Sequence, residues 1–456
     1  MTAAAARPRP ARRALDELSL SVDASFVDRV SAGEPDWLTA DRRAAFGAFE
    51  RLPGESNLLY TPYIDLRLAQ LESAVVVSDP FAHHGDARAL PADADADALI
   101  EIDDNGSAVP ALSGAAAAAG VRLQPLRADL ATVRDELTAG EAIPADDKFA
   151  QLTRALWSDG VLVDVPAGVT LSKPIVVRWS LGAPDRARFS RTIVRLGDAA
   201  TVSLVEEFVA PPEVDADAGQ SLFAGTMEVT LGANASLGVA SLQELPSHIV
   251  GFVHRTANIG EAATLHWAMA QLGGRLIRSR VDNRLVGNRS SVQQVEIVFG
   301  SDQQLFDLTS FTTHIGKDTT GDLLSKAALL EGARTYLKGL IIIERSANGT
   351  DSFLGEFGMN LSKDARSVAI PSLEIDQPDC RRAAHSSSVG PIDETQLFYL
   401  ESRGIPPDEA RKFIVLGFLE PVVARVPLAS AQDRLRELLE EKWIAGTDGV
   451  THEAVA

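Results

Sequence analysis

The sequence predicts a mainly β protein whose core is a β-solenoid, framed by helical units at both ends. Three observations carry this. A short turn pattern recurs through the middle of the chain, and helical periodicity vanishes there for about two hundred residues. Amphipathic helical spacing returns on either side of that stretch.

In the first third, Trp37, Leu38, Ala45, Phe49 and Leu52 fall mostly on one helical face before Pro53 ends the turn. A second helix is expected at about 126–137. Between them, residues 91–104 alternate Ala and Asp and read as an acidic surface loop, a solvated charge run rather than a metal site. From Gly160 the chain turns to β-rich runs such as 161–165 and 175–177, separated by Gly, Asn and Asp.

The pattern apolar-Gly-x-x-small-Ser/Thr-apolar starts at Leu196, Leu231 and Ile259. A looser copy starts at Val286 and degenerate copies at Leu329 and Leu361, giving separations of 35, 28, 27, 43 and 32 positions. A tight turn leading into an alternating strand, at an irregular spacing, suits stacked coils whose loops vary in length. Each coil buries an apolar face that it cannot cover alone. The alternative is an antiparallel sandwich, which has no need to repeat its turn chemistry.

Helical signals resume after Gly390. Asp393 and Gln396 form a capping-box pattern ahead of Leu397 and Leu400, and Gly404 with Pro406 stops that helix. A last helix carries Ala431, Leu435, Leu438 and Leu439 on one face. The expected organisation is a mostly helical region with an acidic loop at 1–154, a solenoid core at 155–392 and a helical unit at 393–456.

The 456 residues carry a formal net charge of -20, which repels a nucleic-acid backbone. The basic run Arg7, Arg9, Arg12 and Arg13 reads as a solvated tail and lacks the apolar stretch of a signal peptide. No window approaches the ~18 apolar residues of a membrane span. The single cysteine, Cys380, excludes an internal disulfide, and a cytoplasmic location is expected.

Catalytic signatures are missing. Gly316-Lys317 is followed by Asp318 instead of the Ser or Thr of a phosphate-binding loop, so this chain is not expected to bind ATP. Eight scattered histidines and one cysteine lack zinc-site spacing. His83 and His84 read as loop residues, His254 and His266 as packed side chains, and His314 as either packed or functional. No Gly-x-Ser-x-Gly elbow is present. A solenoid carbohydrate-active enzyme with strand-borne carboxylates is the enzymatic alternative, disfavoured by the missing signal peptide.

One ordered set of motifs goes further. It comprises the run 311–322 (Phe-Thr-Thr-His-Ile-Gly-Lys-Asp-Thr-Thr-Gly-Asp), Lys326, Lys338-Gly339-Leu340-Ile341 and Ile370-Pro371-Ser372-Leu373-Glu374-Ile375. His385, Val389-Gly390, Asp393-Glu394 and the run from Gln396 through Phe398-Tyr399-Leu400 to Arg403-Gly404-Ile405 follow. Together with Glu34-Pro35-Asp36-Trp37-Leu38 and Phe49-Glu50-Arg51-Leu52-Pro53, this set resembles the SufB/SufD family of iron–sulfur cluster assembly scaffolds. The resemblance covers most of the chain and is weakest at 66–149.

It implies a right-handed parallel β-helix flanked by helical units, in agreement with the repeats. The SufB branch carries Phe-Tyr-Cys on the helix after the solenoid; here the residues are Phe398-Tyr399-Leu400, and leucine cannot ligate iron. The chain therefore resembles the SufD branch. The resemblance implies a non-catalytic scaffold that forms a heterodimer with a SufB homologue through the C-terminal end of the solenoid. Each subunit would recruit one SufC-type ATPase through 405–418, with Arg403, Gly404, Arg411 and Phe418 as contact residues. ATP-driven closure of the ATPases would then expose a site for a transient iron–sulfur cluster at the shared interface.

The family histidine ahead of the Val-Gly turn maps onto His385, an imidazole donor for iron. Cys380 is a weaker ligand candidate. The cysteine that many SufD proteins carry two residues before that histidine is Ala383 here, and an inert buried thiol is the expected state of Cys380. A SufB-like scaffold or a structural homodimer is the alternative within this fold, and the residues carry no signal on a flavin.

Overall fold

A computed structural model describes residues 14–78, 88–106, 108–138, 143–211 and 219–447. The basic run ending at Arg13 and the His83-His84 pair lie outside these residues.

Two strands per coil wind into a parallel β-solenoid of about eight turns. One sheet stacks Asp159–Val165, Arg186–Leu196, Ser221–Leu231, Ile249–Ile259, Leu276–Leu285, Leu305–His314, Arg334–Ile343 and Arg366–Ile375. The second stacks Ile175–Ser180, Thr201–Val209, Ser236–Gln243, Thr264–Gln271, Ser291–Gly300, Thr320–Leu329, Asp351–Asn360 and Arg382–Gly390. Successive coils pair in parallel and in register, as in Leu285 against His314 against Ile343 against Ile375. The antiparallel sandwich is thereby excluded.

The recurrent turn is the corner from the first sheet into the second. Its second residue is glycine because the stacked corners touch backbone to backbone. A Cβ at Gly260 would stand 2.5 Å from the carbonyl oxygen of Leu231, and one at Gly316 2.3 Å from that of Gly287. The fourth residue takes a left-handed conformation at Ala199, Asn234, Ala262, Arg289 and Asp318. Asp318 belongs to a corner at Ile315-Gly316, 29 positions after Val286, which the repeat reading had passed over. The degenerate copies at Leu329 and Leu361 are corrected. They lie between second-sheet and first-sheet strands, at the opposite corner of the coil.

Inward residues such as Val239, Trp267, Val281 and Leu308 form the lumen core. The outer face of the second sheet is apolar too, through Ala240, Ala268, Val295 and Leu324, because helices Pro407–Val423 and Ala429–Thr447 cover it. Burial on both faces gives near-continuous apolar runs and explains why clean alternation fades there.

At the N-terminal end both sheets continue into added strands, joined by parallel as well as antiparallel pairing. Arg122–Pro125 runs against Asp159–Val165, and Ala98–Asp103 lies along Ile175–Ser180 and forms a hairpin with Ala108–Leu112. The expected acidic loop is therefore corrected in its second half. Ala98, Ile100 and Ile102 face the core, and the carboxylate of Asp104 accepts the amides of Gly182 and Ala183 at 2.6 and 2.7 Å. The helix expected at 126–137 is a 3-10 turn, Leu126–Asp129, and a short helix, Arg134–Thr138. The Asp129 side chain accepts the amide of Thr132 and its carbonyl accepts the Thr132 hydroxyl, bonds that compete with a continuous helix.

The N-terminal helix expected around Trp37 is Asp36–Arg51, packed with Lys148–Leu156 onto the outer face of the first sheet. The following segment is pinned by buried charge. Glu55 meets Arg278 at 3.0 Å and Lys338 at 3.5 Å, and Lys338 also reaches Asp307 at 2.5 Å. Tyr60 then packs against Phe311, Leu340, Ile342 and Ile370.

Candidate functional site

The two ends of the solenoid differ. The last coil consists of Arg366–Ile375 and Arg382–Gly390, and each is the edge of its sheet. The C-terminal helices lie along the side of the second sheet. Ile375 and Val389 are 45% and 40% exposed, as expected for core-type residues with no further coil above them.

His385 sits in this coil. It stacks on the buried Leu354, and Ala383, two residues away on the same face, packs into the cluster of Leu323, Ile341, Ile343 and Leu354. Alternate residues of a strand share a face, so His385 stands on the inward side of the terminal coil. It is nevertheless exposed, because nothing is stacked on it. Ser386, Ser387 and Ser388 continue the exposed strand. Cys380 lies in the connection between the two terminal strands, half-buried against the same apolar cluster.

One inward row runs through the second sheet in register: Glu206, Ser241, Met269, Glu296, Ser325, Glu356, Ser387. Glu206 is paired, since Arg255 donates to it at 2.5 Å and to Ser241 Oγ at 2.7 Å. Glu296 accepts a long bond from Gln271 at 3.3 Å, and burial pushes its carboxyl up to about 7. Glu356, one coil below His385, has no cation partner among the described residues. Burial pushes it up to about 8, partly offset by the amide of Ile370, which donates to it at 3.0 Å.

Sequence reading missed Glu356. The available signal was a lone carboxylate at an inward position of an alternating strand, Phe353-Leu354-Gly355-Glu356-Phe357. His254 and His314 are packed residues. His254 bonds Asp282 at 2.9 Å, while His314 bonds Thr319 and Ser352 and is held down to about 4 by burial.

The remaining predicted residues lie on the C-terminal helical unit. The Arg403 guanidinium sits over the Tyr399 ring at 5.2 Å, and Gly404, at φ +87, ends the helix Glu394–Ser402. Arg411 is exposed. Phe418 instead turns toward the solenoid: Lys326 Nζ stands 4.5 Å over its ring and donates to its carbonyl at 2.6 Å. The aromatic side chains that face outward are Phe398, Tyr399 and Phe413, at 71%, 56% and 59% exposure. The structure thus places His385 and Cys380 at the end of the solenoid and Arg403, Gly404 and Arg411 on a separate helical surface.

Among the described residues no three His, Cys, Asp or Glu side chains cluster to hold a metal ion. No described helix is long and apolar enough to cross a membrane. A cleft of about 260 Å³ between 143–146 and the first sheet is lined by Arg280, but that guanidinium is already held by Asp282, Asp146 and Asp147.

Comparison with known proteins agrees with this architecture. The SufBD core domain of SUF-system FeS cluster assembly matches residues 180–418. An iron–sulfur cluster assembly SufBD family protein of Staphylococcus epidermidis is 28% identical over 292 residues, 64% of this chain and 62% of the relative. SufBD family proteins of Staphylococcus haemolyticus and Staphylococcus aureus are 27% identical over the same share. The match spans 62% of the length of these curated relatives. With the core model covering the solenoid from its second coil to the helix that packs on it, the chain belongs to the SufBD family of iron–sulfur cluster assembly proteins.

Proposed function

We propose that the chain is a SufD-type scaffold subunit that docks its open terminal coil against a SufB homologue and lends His385 to a nascent cluster. The single observation behind this reading is the asymmetry of the solenoid. Residues within 98–123 pack over the core at one end, while the other leaves two parallel edges and inward-facing Ile375, His385 and Val389 uncovered. Such edges are templates for another chain. Leu400 in place of a thiol supports the SufD assignment, because this chain then depends on its partner for a thiolate. The outward Phe413 and Arg411 surface is where a SufC-type ATPase would be recruited, and the scaffold itself would carry out no chemistry.

Co-expression with SufB and SufC homologues, followed by size exclusion and anaerobic iron analysis, tests the reading. A complex containing all three chains is expected. His385→Ala should preserve that complex and reduce its cluster content. A chain that elutes only as its own dimer in the presence of the SufB homologue would refute the heterodimer, and unchanged iron loading would remove the role of His385.

A further inference from the structure

Glu356 is a buried carboxyl aimed at the terminal coil. It is 2% exposed, and it is bonded to the amide of Ile370 on the edge strand. Its other oxygen occupies the space left by Gly339, where a Cβ would stand 2.7 Å from it. No hydrogen bond or ion pair from a cationic side chain reaches it among the described residues.

His385 is its diagonal neighbour. Leu354 pairs with His385 and Glu356 with Ser387, so the two side chains share the inward face of adjacent strands, two residues apart. A strand spacing of ~4.8 Å and a rise of ~3.3 Å per residue put their Cα atoms roughly 8 Å apart. A glutamate and a histidine that both extend toward the terminal coil are long enough to meet at one ion across such a gap. Imidazole and carboxylate are donors that divalent first-row metal ions accept.

From this juxtaposition we infer that Glu356 and His385 form half of a site for a divalent metal ion of the ferrous class, completed by donors from the docked partner. The inference rests on the docking reading and adds a second donor to it. A purely structural Glu356 would serve only as a neutral acceptor for the Ile370 amide. Glutamine has the same shape and fills that role equally well, but it cannot bring a negative charge to a metal ion.

The test is anaerobic equilibrium dialysis of ferrous iron against the complex of the full chain with its SufB homologue, comparing wild type, Glu356→Gln, His385→Ala and the double variant. Glu356→Gln should weaken iron binding on the order of 10–100-fold, the range in which metal sites respond to loss of a supporting group. The double variant should fall little further than His385→Ala, since both residues serve one ion. Size exclusion and thermal unfolding of each complex accompany the dialysis. Iron binding by Glu356→Gln equal to wild type, in an intact complex, overturns the inference and leaves docking standing. Failure of the wild-type chain to form the complex overturns docking, and the half-site with it.

Discussion

Replacing Gly287 by alanine tests the stacking of the corners on which the solenoid depends. The new Cβ would lie 2.1 Å from the amide nitrogen of Glu261 and 2.2 Å from the carbonyl carbon of Gly260. Both are backbone atoms of the corner below, so no rotamer relieves the overlap. Ordinary contact begins near ~3.5 Å, and the corners must therefore part by more than about 1 Å. Three bonds hold them at present: Gly287 N to Ile259 O at 3.0 Å, Ala262 N to Asn288 O at 2.8 Å and Ser291 N to Ala263 O at 2.9 Å. Parting by that amount carries all three beyond bonding distance. At about 1 kcal/mol for each bond, and more for groups left buried without water, the cost is about 3–5 kcal/mol. Gly417, exposed in the helix Pro407–Val423 with nothing within 4 Å of its would-be Cβ, is the control. There the same substitution should stabilise by about 1 kcal/mol through helix propensity. Urea unfolding followed by far-ultraviolet circular dichroism measures both. Opposite signs are expected, and a Gly287→Ala protein within 1 kcal/mol of wild type would refute backbone contact as the reason for the corner glycine.

Stability should also depend on pH through Glu356. Its carboxyl, ordinarily near 4.5, is pushed up to about 8 in the folded chain. Between those values the unfolded chain gives up its proton first, so this contribution is full below pH 4.5 and is lost as pH rises toward 8. Its size is on the order of 5 kcal/mol, and Glu356→Gln should flatten the melting-temperature profile between about pH 4.5 and 8; an unchanged slope counts against the buried, neutral carboxyl. Lys338→Met leaves Asp307 and Glu55 to share Arg278 alone, costing about 3–5 kcal/mol. Faster proteolysis at 53–63 is expected, and an unaltered cleavage rate would remove Lys338 as the anchor of that segment. Reversing Arg411 to Glu together with Phe413→Asp should abolish co-purification of the SufC-type ATPase at unchanged melting temperature. Phe418→Asp should instead lower the melting temperature, since that ring packs under Lys326; equal effects on stability would contradict the distinction.

The corners were legible because their constraint acts on residue type. A backbone-to-backbone contact admits only glycine, and the sequence records it at Gly197, Gly232, Gly260 and Gly287. The left-handed residue two positions later is Ala, Asn, Arg or Asp, so its strained conformation left no comparable trace. The strand Ala98–Asp103 was obscured because Asp97 and Asp104, read as solvated charge, bind backbone amides and a serine hydroxyl instead. The place of His385 ahead of Val389-Gly390 was legible from the family motif, and those two residues end its strand instead of forming a turn. Glu356 was not, since a buried carboxylate differs from an exposed one only in which way its strand position faces, and that depends on the coil geometry.

The chemistry of the terminal coil bears on how an open end can be tolerated. Two long unprotected edges would invite indiscriminate pairing. Here the Arg366–Ile375 edge contains Pro371, which has no amide to offer, and its neighbour Ile370 directs an amide to Glu356. The Arg382–Gly390 edge is hydrophilic, with Arg382 bound to Asp351 and three serines following His385. One edge is thus interrupted and the other is polar, so beyond Ile375 and Val389 the edges offer little apolar surface. A partner must supply matching hydrogen bonds and donors, which favours a selective and reversible contact over permanent fusion of two solenoids. Such selectivity would suit the proposed scaffold role, in which the interface would have to open to release a cluster.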